Sequence, residues 1–241
     1  MAEPEQTPTD DLLSLGAGRF GTILADPPWQ FQNRTGKMAP EHRRLNRYAT
    51  MSFEEILDLP VAQLAQPQSH LYLWIPNALI VEGLETMERW GFTYKTMLVW
   101  YKTRKDGGPD GRGVGFYFRN VTEVVLFGVR GGLRTLAPGR RQVNLIASQK
   151  REHSRKPDEL YPVIEACSPG PYLELFARHP RPGWTSWGNQ VDDAPIQIPL
   201  PLPAPEPVLP ASPLHRLSET RAVANGARRK RASSGHIEAP N

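Results

Sequence analysis

Cysteine is nearly missing from this chain: Cys167 stands alone in 241 residues. One thiol cannot close an intrachain disulfide or build a thiolate zinc cluster, and no metal site is expected. That usage fits a reducing compartment, with Cys167 expected as a small buried apolar side chain. Long hydrophobic runs are missing too, since no apolar stretch approaches the ~18 residues of a membrane span. The start, MAEPEQTPTDD, is acidic and polar, unlike a secretory signal. Together these absences make a cytoplasmic protein without a membrane partner the expectation. Internal repeats are absent as well.

Proline, by contrast, is abundant at 25 residues and unevenly spread. Residues 191–241 run through IPLPLPAPEPVLPASP and then turn polar, without the apolar periodicity of a packed element. They read as a disordered tail, and the cluster Arg228-Arg229-Lys230-Arg231 within it reads as a solvated charge run that could touch phosphates. Residues 1–18 read as a flexible lead, which leaves one domain at 19–190. Charge is uneven as well. Residues 101–156 carry 13 Lys/Arg against 4 Asp/Glu, whereas 1–100 with 157–190 carry 10 against 16. A basic belt on an acidic body points to a polyanionic partner.

Apolar runs at 20–25 (FGTILA), 70–75 (HLYLWI), 96–101 (TMLVWY), 121–129 (VTEVVLFGV) and 172–176 (YLELF) read as strands. Helical patterns alternate with them. Ser52-x-x-Glu55 is a capping box opening one helix, and residues 78–90 have helical spacing that stops at Gly91. Pro157 suits the first turn of a third helix through 157–166, which Pro162 should kink or delay. Alternating strands and helices predict an α/β fold, a mostly parallel central sheet flanked by helices. Gly16-Ala-Gly18-Arg-Phe-Gly21 satisfies GxGxxG but precedes a strand instead of following one, so it is not a dinucleotide site.

The first strand delivers Asp26-Pro27-Pro28-Trp29 to its carboxyl end, where open α/β sheets bind ligands. Such a motif suits methylation of an aromatic amine. The exocyclic amine of adenine is a poor nucleophile because its lone pair is delocalised into the ring. Two acceptors on its N–H groups, a side-chain oxygen of Asp26 and the carbonyl of Pro27, would localise that pair. The prolines restrict the backbone that aims the carbonyl, and Trp29 could stack on a flipped base. The alternative is a proline-rich turn with Trp29 simply buried.

These residues resemble the MT-A-seventy type of adenine methyltransferase. Beyond ADPPW the resemblance includes Tyr48-Ala49-Thr50-Met51-Ser52, His70-Leu71-Tyr72-Leu73-Trp74 and Leu98-Val99-Trp100-Tyr101-Lys102. It continues through Arg155-Lys156-Pro157-Asp158-Glu159-Leu160-Tyr161, Ser168-Pro169-Gly170 and Leu173-Glu174-Leu175-Phe176-Ala177-Arg178-His179. Pro182-Gly183-Trp184 and Trp187-Gly188-Asn189-Gln190 complete it, so that it spans roughly 19–190. The resemblance implies a Rossmann-like methyltransferase fold using S-adenosylmethionine. It places Lys156 near the donor, with Asp26 beside it, and makes Glu174 the acid that holds ribose hydroxyls. It adds Arg178, His179, Asn189 and Gln190 as further donor contacts. The stretch His179-Pro180-Arg181-Pro182-Gly183 is shorter than the eukaryotic pattern, and no donor role falls to Asp10 or Asp11.

On the substrate side, the loop at 102–115 is long, basic and glycine-rich, and long irregular loops in compact domains tend to be functional. Lys102, Arg104, Lys105, Arg112 and Arg119 would neutralise phosphates there. Arg134, Arg140 and Arg141 would do so from a second loop, and Tyr48 resembles a family residue beside the target adenosine. Nucleic acid is the expected partner, DNA ahead of RNA because the chain is compact. A homodimer or a paired homologous subunit also fits the resemblance. The competing readings are a catalytically silent nucleic-acid-binding subunit, which the intact Asp26 argues against, and a protein or small-molecule amine methyltransferase. Motifs of the latter usually begin with Asn and end in Tyr.

Overall fold

Strand β1 (Phe20–Ala25) is buried at every position. A run that is apolar on both sides belongs in the middle of a sheet covered on both faces, and the computed structural model of the chain places it there. The structure describes residues 7–30, 51–111, 117–151 and 155–188. The other strands are β2 (Ala65–Ile75), β3 (Thr93–Thr103), β4 (Thr122–Arg130), β5 (Leu145–Gln149), β6 (Tyr172–Leu175) and β7 (Trp184–Trp187). Their order in one sheet is β5-β3-β4-β2-β1-β6-β7. β1 pairs in parallel with β2 and β6, β3 with β5, and β6 with β7. β4 alone runs antiparallel, to both β2 and β3. This is the mostly parallel, Rossmann-like α/β sheet expected from the alternating pattern.

The helices are α1 (Pro8–Ser14), α2 (Phe53–Leu57), α3 (Val61–Leu64), α4 (Ile80–Arg89) and α5 (Leu160–Cys167). Among the described residues none is long and apolar enough to cross a membrane. The capping box of α2 is formed in both directions between Ser52 and Glu55. Gly91, at φ +80°, ends the α4 region in the left-handed conformation that favours glycine.

Several elements depart from expectation. The stretch read as a flexible lead contains α1, capped reciprocally by Thr7 and Asp10, with Leu12 fully buried. Two turns are too short to show a convincing period. α5 begins at Leu160 and not at Pro157, so Pro162 is its third residue. A proline there costs nothing, because the first helical N–H groups have no partner in the helix. β5 and β7 were not expected. β5 lies on an edge with mostly exposed side chains, and β7 is only four residues long, so neither shows an apolar run.

The alternation of side chains along the strands sets up the site. Ile23, Ala25, Leu71, Leu73 and Ile75 enter the core beneath α1 to α4. Leu24, Tyr72, Trp74, Trp100 and Phe127 enter the opposite core, with Leu160 and Ile164 of α5. Counting in twos puts Asp26, Lys102, Glu123 and Glu174 all on the α5 face. At the other end of that face His70 is buried, with Nδ1 2.7 Å from Ser168 Oγ and Nε2 3.3 Å from the carbonyl of Leu133. Burial outweighs the carbonyl bond and holds its pKa below the ordinary histidine value. A neutral ring that donates to Leu133 must accept from Ser168. This polar knot ties β2 to the carboxyl end of α5.

Candidate active site

Asp26 leaves the carboxyl end of β1, between the ends of β2 and β6, where the strand order reverses direction. That crevice is the standard ligand position of an open α/β sheet. Lys156, just before α5, places its ammonium 3.0 Å from Asp26 Oδ2 and 3.3 Å from Glu123 Oε2. Glu123 also binds Lys102 at 2.5 Å. The four side chains form a row of alternating charge, Asp26, Lys156, Glu123, Lys102. Burial opposes the charge on Glu123, but the two ammonium groups outweigh it and hold the carboxyl below its ordinary range. Burial likewise opposes the charge on Lys156, and Asp26 with Glu123 raises its pKa above the usual lysine value. The aromatic floor contributes too: Lys156 lies 5.1 Å from the ring centre of Trp74, and Lys102 lies 4.9 Å from that of Trp100.

The turn at 26–29 differs in detail from expectation. Trp29 is buried, and its indole N–H donates to the carbonyl of Trp74 at 3.0 Å. It therefore pins the motif to β2 instead of offering a face for stacking. The carbonyl of Pro27 accepts from the backbone N–H of Trp29 at 2.8 Å. One lone pair is thereby used and the direction of the carbonyl fixed, while the second lone pair stays available. The backbone hydrogen bond adds to the restriction that the prolines impose.

A cavity of about 470 Å³ opens beside this row, walled by Asp26, Trp74, Tyr161, Glu174, Phe176 and Arg181 among others. Arg178 and His179 line it as well, so the structure brings Asp26, Lys156, Glu174, Arg178 and His179 together around one space. Tyr161 donates to Glu174 Oε1 at 2.8 Å, whereas Glu174 Oε2 is buried without a hydrogen-bond partner. Burial pushes the Glu174 carboxyl up to about 7, with the Tyr161 bond and Arg181 opposing the shift and Asp26 adding to it. An unsatisfied buried acceptor costs stability unless a ligand supplies donors. A ribose diol beside Oε2 would supply them, so the wall fits a nucleoside-bearing donor such as S-adenosylmethionine. Arg181 lies over the Tyr161 ring at 3.5 Å and binds Asp158 at 2.8 Å, closing the rim.

The phosphate-binding residues expected from sequence are divided. Lys102 is mostly buried in its pair with Glu123 and belongs to the crevice. Arg104, Lys105 and Arg119 are exposed on the loop that leaves the same end of the sheet, with Arg104 paired to Asp106 at 2.9 Å. Arg134, Arg140 and Arg141 are exposed elsewhere. Their loop follows β4 at the end where Arg130 pairs with Ser69, and Leu136 bonds the carbonyl of Cys167 at the far end of α5. Eight helical residues, about 12 Å, separate that end from the Lys156 side. The basic belt is thus two patches at opposite ends of the sheet. Tyr48, Arg112, Asn189 and Gln190, and the tail with its cluster at 228–231, lie outside the described residues.

Comparison with known proteins decides the lineage. Residues 20–190 match the MT-A70 family model. The chain belongs to the MT-A70 family. Among its MT-A70 relatives, the putative N(6)-adenosine-methyltransferase MT-A70-like protein of Medicago truncatula is 36% identical over 180 residues, 72% of this chain and 27% of that protein. The human N(6)-adenosine-methyltransferase catalytic subunit METTL3 is 32% identical over 181 residues, 73% of this chain and 29% of its own length. The match therefore spans under a third of those eukaryotic proteins. The type II methyltransferase M.MunI of a Mycoplasma species is 28% identical over 209 residues, 80% of this chain and 87% of its own.

Sequence reasoning passed over Glu123, Trp74, Tyr161 and Arg181 as functional residues. Glu123 could have been found, since an acid inside the apolar run VTEVVLF needs a buried partner or a reason to be there. Arg181 had no signal beyond its place in a proline-rich turn.

Proposed function

We propose that this protein transfers a methyl group from S-adenosylmethionine to the exocyclic amine of adenine in nucleic acid, with DNA favoured over RNA. The observation that carries the reading is one crevice holding both halves of the chemistry: Asp26 fixed by Lys156 on one side, and the unpartnered Glu174 Oε2 on the other. S-adenosylmethionine, when bound, supplies a methyl group activated by its positive sulfur. Asp26 Oδ2 is engaged by Lys156, which leaves Oδ1 to accept one amine N–H. The free lone pair of the Pro27 carbonyl accepts the other. Both acceptors are held before the substrate arrives, so their effect falls on the transition state. Glu174 grips the ribose diol, and Lys156 keeps the Asp26 carboxylate oriented.

DNA is favoured because M.MunI, named as a type II methyltransferase, matches over most of both chains. Incubation with isotopically labelled donor and either unmodified DNA or RNA, followed by nucleoside mass spectrometry, tests this. Labelled N6-methyladenine from DNA is expected. Label from RNA alone would transfer the substrate to RNA, and label from neither would sink the reading.

The loop patch should meet the phosphates. Tyr117 and Phe118, 86% and 85% exposed, stand beside Arg119 and suit stacking on bases. Neutralising Arg104, Lys105 and Arg119 together should flatten the salt dependence of nucleic-acid binding by about one unit of slope per lost phosphate contact. Fluorescence anisotropy across a salt series measures it. A triple variant with the full slope would move the substrate path elsewhere.

A further inference from the structure

Phe176 is the one non-glycine described residue with positive φ, at 63°. It follows Glu174 by two residues and lines the cavity. A bulky side chain in the left-handed region is strained, and such a residue persists only where its surroundings hold it. The surroundings here are specific. The Phe176 ring meets the Trp187 ring edge to face, with centres 5.5 Å apart. The next residue, Ala177, donates its N–H to the carbonyl of Trp187 at 3.0 Å. Gly188 keeps that approach close, because a Cβ there would sit 2.6 Å from the Ala177 carbonyl. Trp187 in turn is tethered, its indole N–H donating to Asp11 Oδ2 at 2.7 Å. Asp11 lies on α1, which is seated by Leu12 and Leu15 in the same core that Phe176 and Trp187 pack against.

We infer that Asp11 and Trp187 are positioning residues for the donor: α1 braces Trp187, Trp187 holds Phe176, and Phe176 sets the turn that presents Glu174 to the ribose. The helix thereby acts on the site through Trp187 and Phe176. The bond is suited to this because a carboxylate accepting from an indole fixes the direction of a large flat ring, whereas apolar packing alone would let the ring slide. Its role rests on the reading of the cavity as a donor site.

The test is a double-mutant cycle read by calorimetric titration of S-adenosylhomocysteine, alongside melting temperature and nucleic-acid affinity. Trp187→Phe keeps an aromatic ring but loses the N–H, and Asp11→Ala loses the acceptor. Each should weaken ligand binding about fivefold, as loss of one charge-assisted hydrogen bond in a partly exposed site does. The double variant should be no weaker than either single one, because both cut the same bond. Asp11→Asn retains an acceptor oxygen and should bind within about twofold of wild type. Nucleic-acid affinity should not change in any of them. Variants that melt earlier yet bind the ligand like wild type would show that the bond only docks α1, and would overturn the inference. Additive losses in the cycle would overturn it too. A wild-type protein that binds no S-adenosylhomocysteine would instead remove the donor reading itself.

Discussion

Asp26→Ala should lower single-turnover methyl transfer by at least about a hundredfold, while S-adenosylhomocysteine affinity stays within about tenfold of wild type. The first figure is the usual cost of removing one preorganised transition-state acceptor or donor. The second follows from the row of charges. When Asp26 is removed, Lys156 keeps Glu123 at 3.3 Å and Glu123 keeps Lys102 at 2.5 Å, so the lysine is not left as an unpaired buried charge. The core beneath is also unaffected, because Trp29 is held by Trp74 and not by Asp26. Asp26→Asn makes the comparison sharper. It preserves shape and one acceptor oxygen, yet loses the charge that Lys156 orients, so its rate should fall between those of the alanine variant and wild type. Single-turnover assays with labelled donor measure the rate, and calorimetry measures binding. Wild-type turnover in the alanine variant would remove Asp26 from the chemistry. A loss of affinity equal to the loss of rate would show that Asp26 serves ligand binding alone.

The central strands and the carboxyl-end motif were legible in the sequence because they obey strong local rules. FGTILA is apolar apart from Thr22 and is followed by an acid and two prolines, and β1 occupies those same residues, buried at every position. The capping box at Ser52 and the glycine stop at Gly91 are likewise short-range chemistry, and both appear as read. What escaped is long-range. Glu123 and Lys156 are 33 positions apart in sequence, and only the antiparallel pairing of β4 brings the first beneath the second. The mixed sheet also divides the basic belt. Residues 101–156 contain two strands running in opposite directions, so charges close in sequence leave the sheet at opposite ends. A linear count of charge cannot see this. Trp29 shows the same limit from the other direction. Its residue type suits stacking, but the carbonyl of Trp74 lies within reach and claims its N–H.

Glu174→Gln should make the ligand-free protein more stable at pH 8 and cripple donor binding in the same step. Burial raises the pKa of this carboxyl to about 7, so the folded protein resists its ionisation. The sign follows directly. Between the unfolded value near 4.5 and the folded value near 7, the folded state binds more protons than the unfolded one. Stability contributed by the neutral form is complete below about pH 4.5, falls as pH rises through that window, and is lost above about 7. Glutamine cannot ionise and still accepts from Tyr161, so the variant should melt about 3 °C or more above wild type at pH 8, with a smaller gain at pH 5. Ligand binding should run the other way. Ribose hydroxyls donate best to a carboxylate, so wild-type affinity for S-adenosylhomocysteine should rise from pH 6 to pH 8 by up to about tenfold per unit below the folded pKa. In Glu174→Gln the affinity should be lower at pH 8 and much flatter with pH. His179 and Asp26, which line the same cavity, are the same in both proteins, so the difference between the two profiles isolates Glu174. Differential scanning fluorimetry and calorimetric titration across the pH series measure the two effects. A wild-type affinity that does not change with pH, or a variant that binds like wild type at pH 8, would show that Glu174 does not hold the diol.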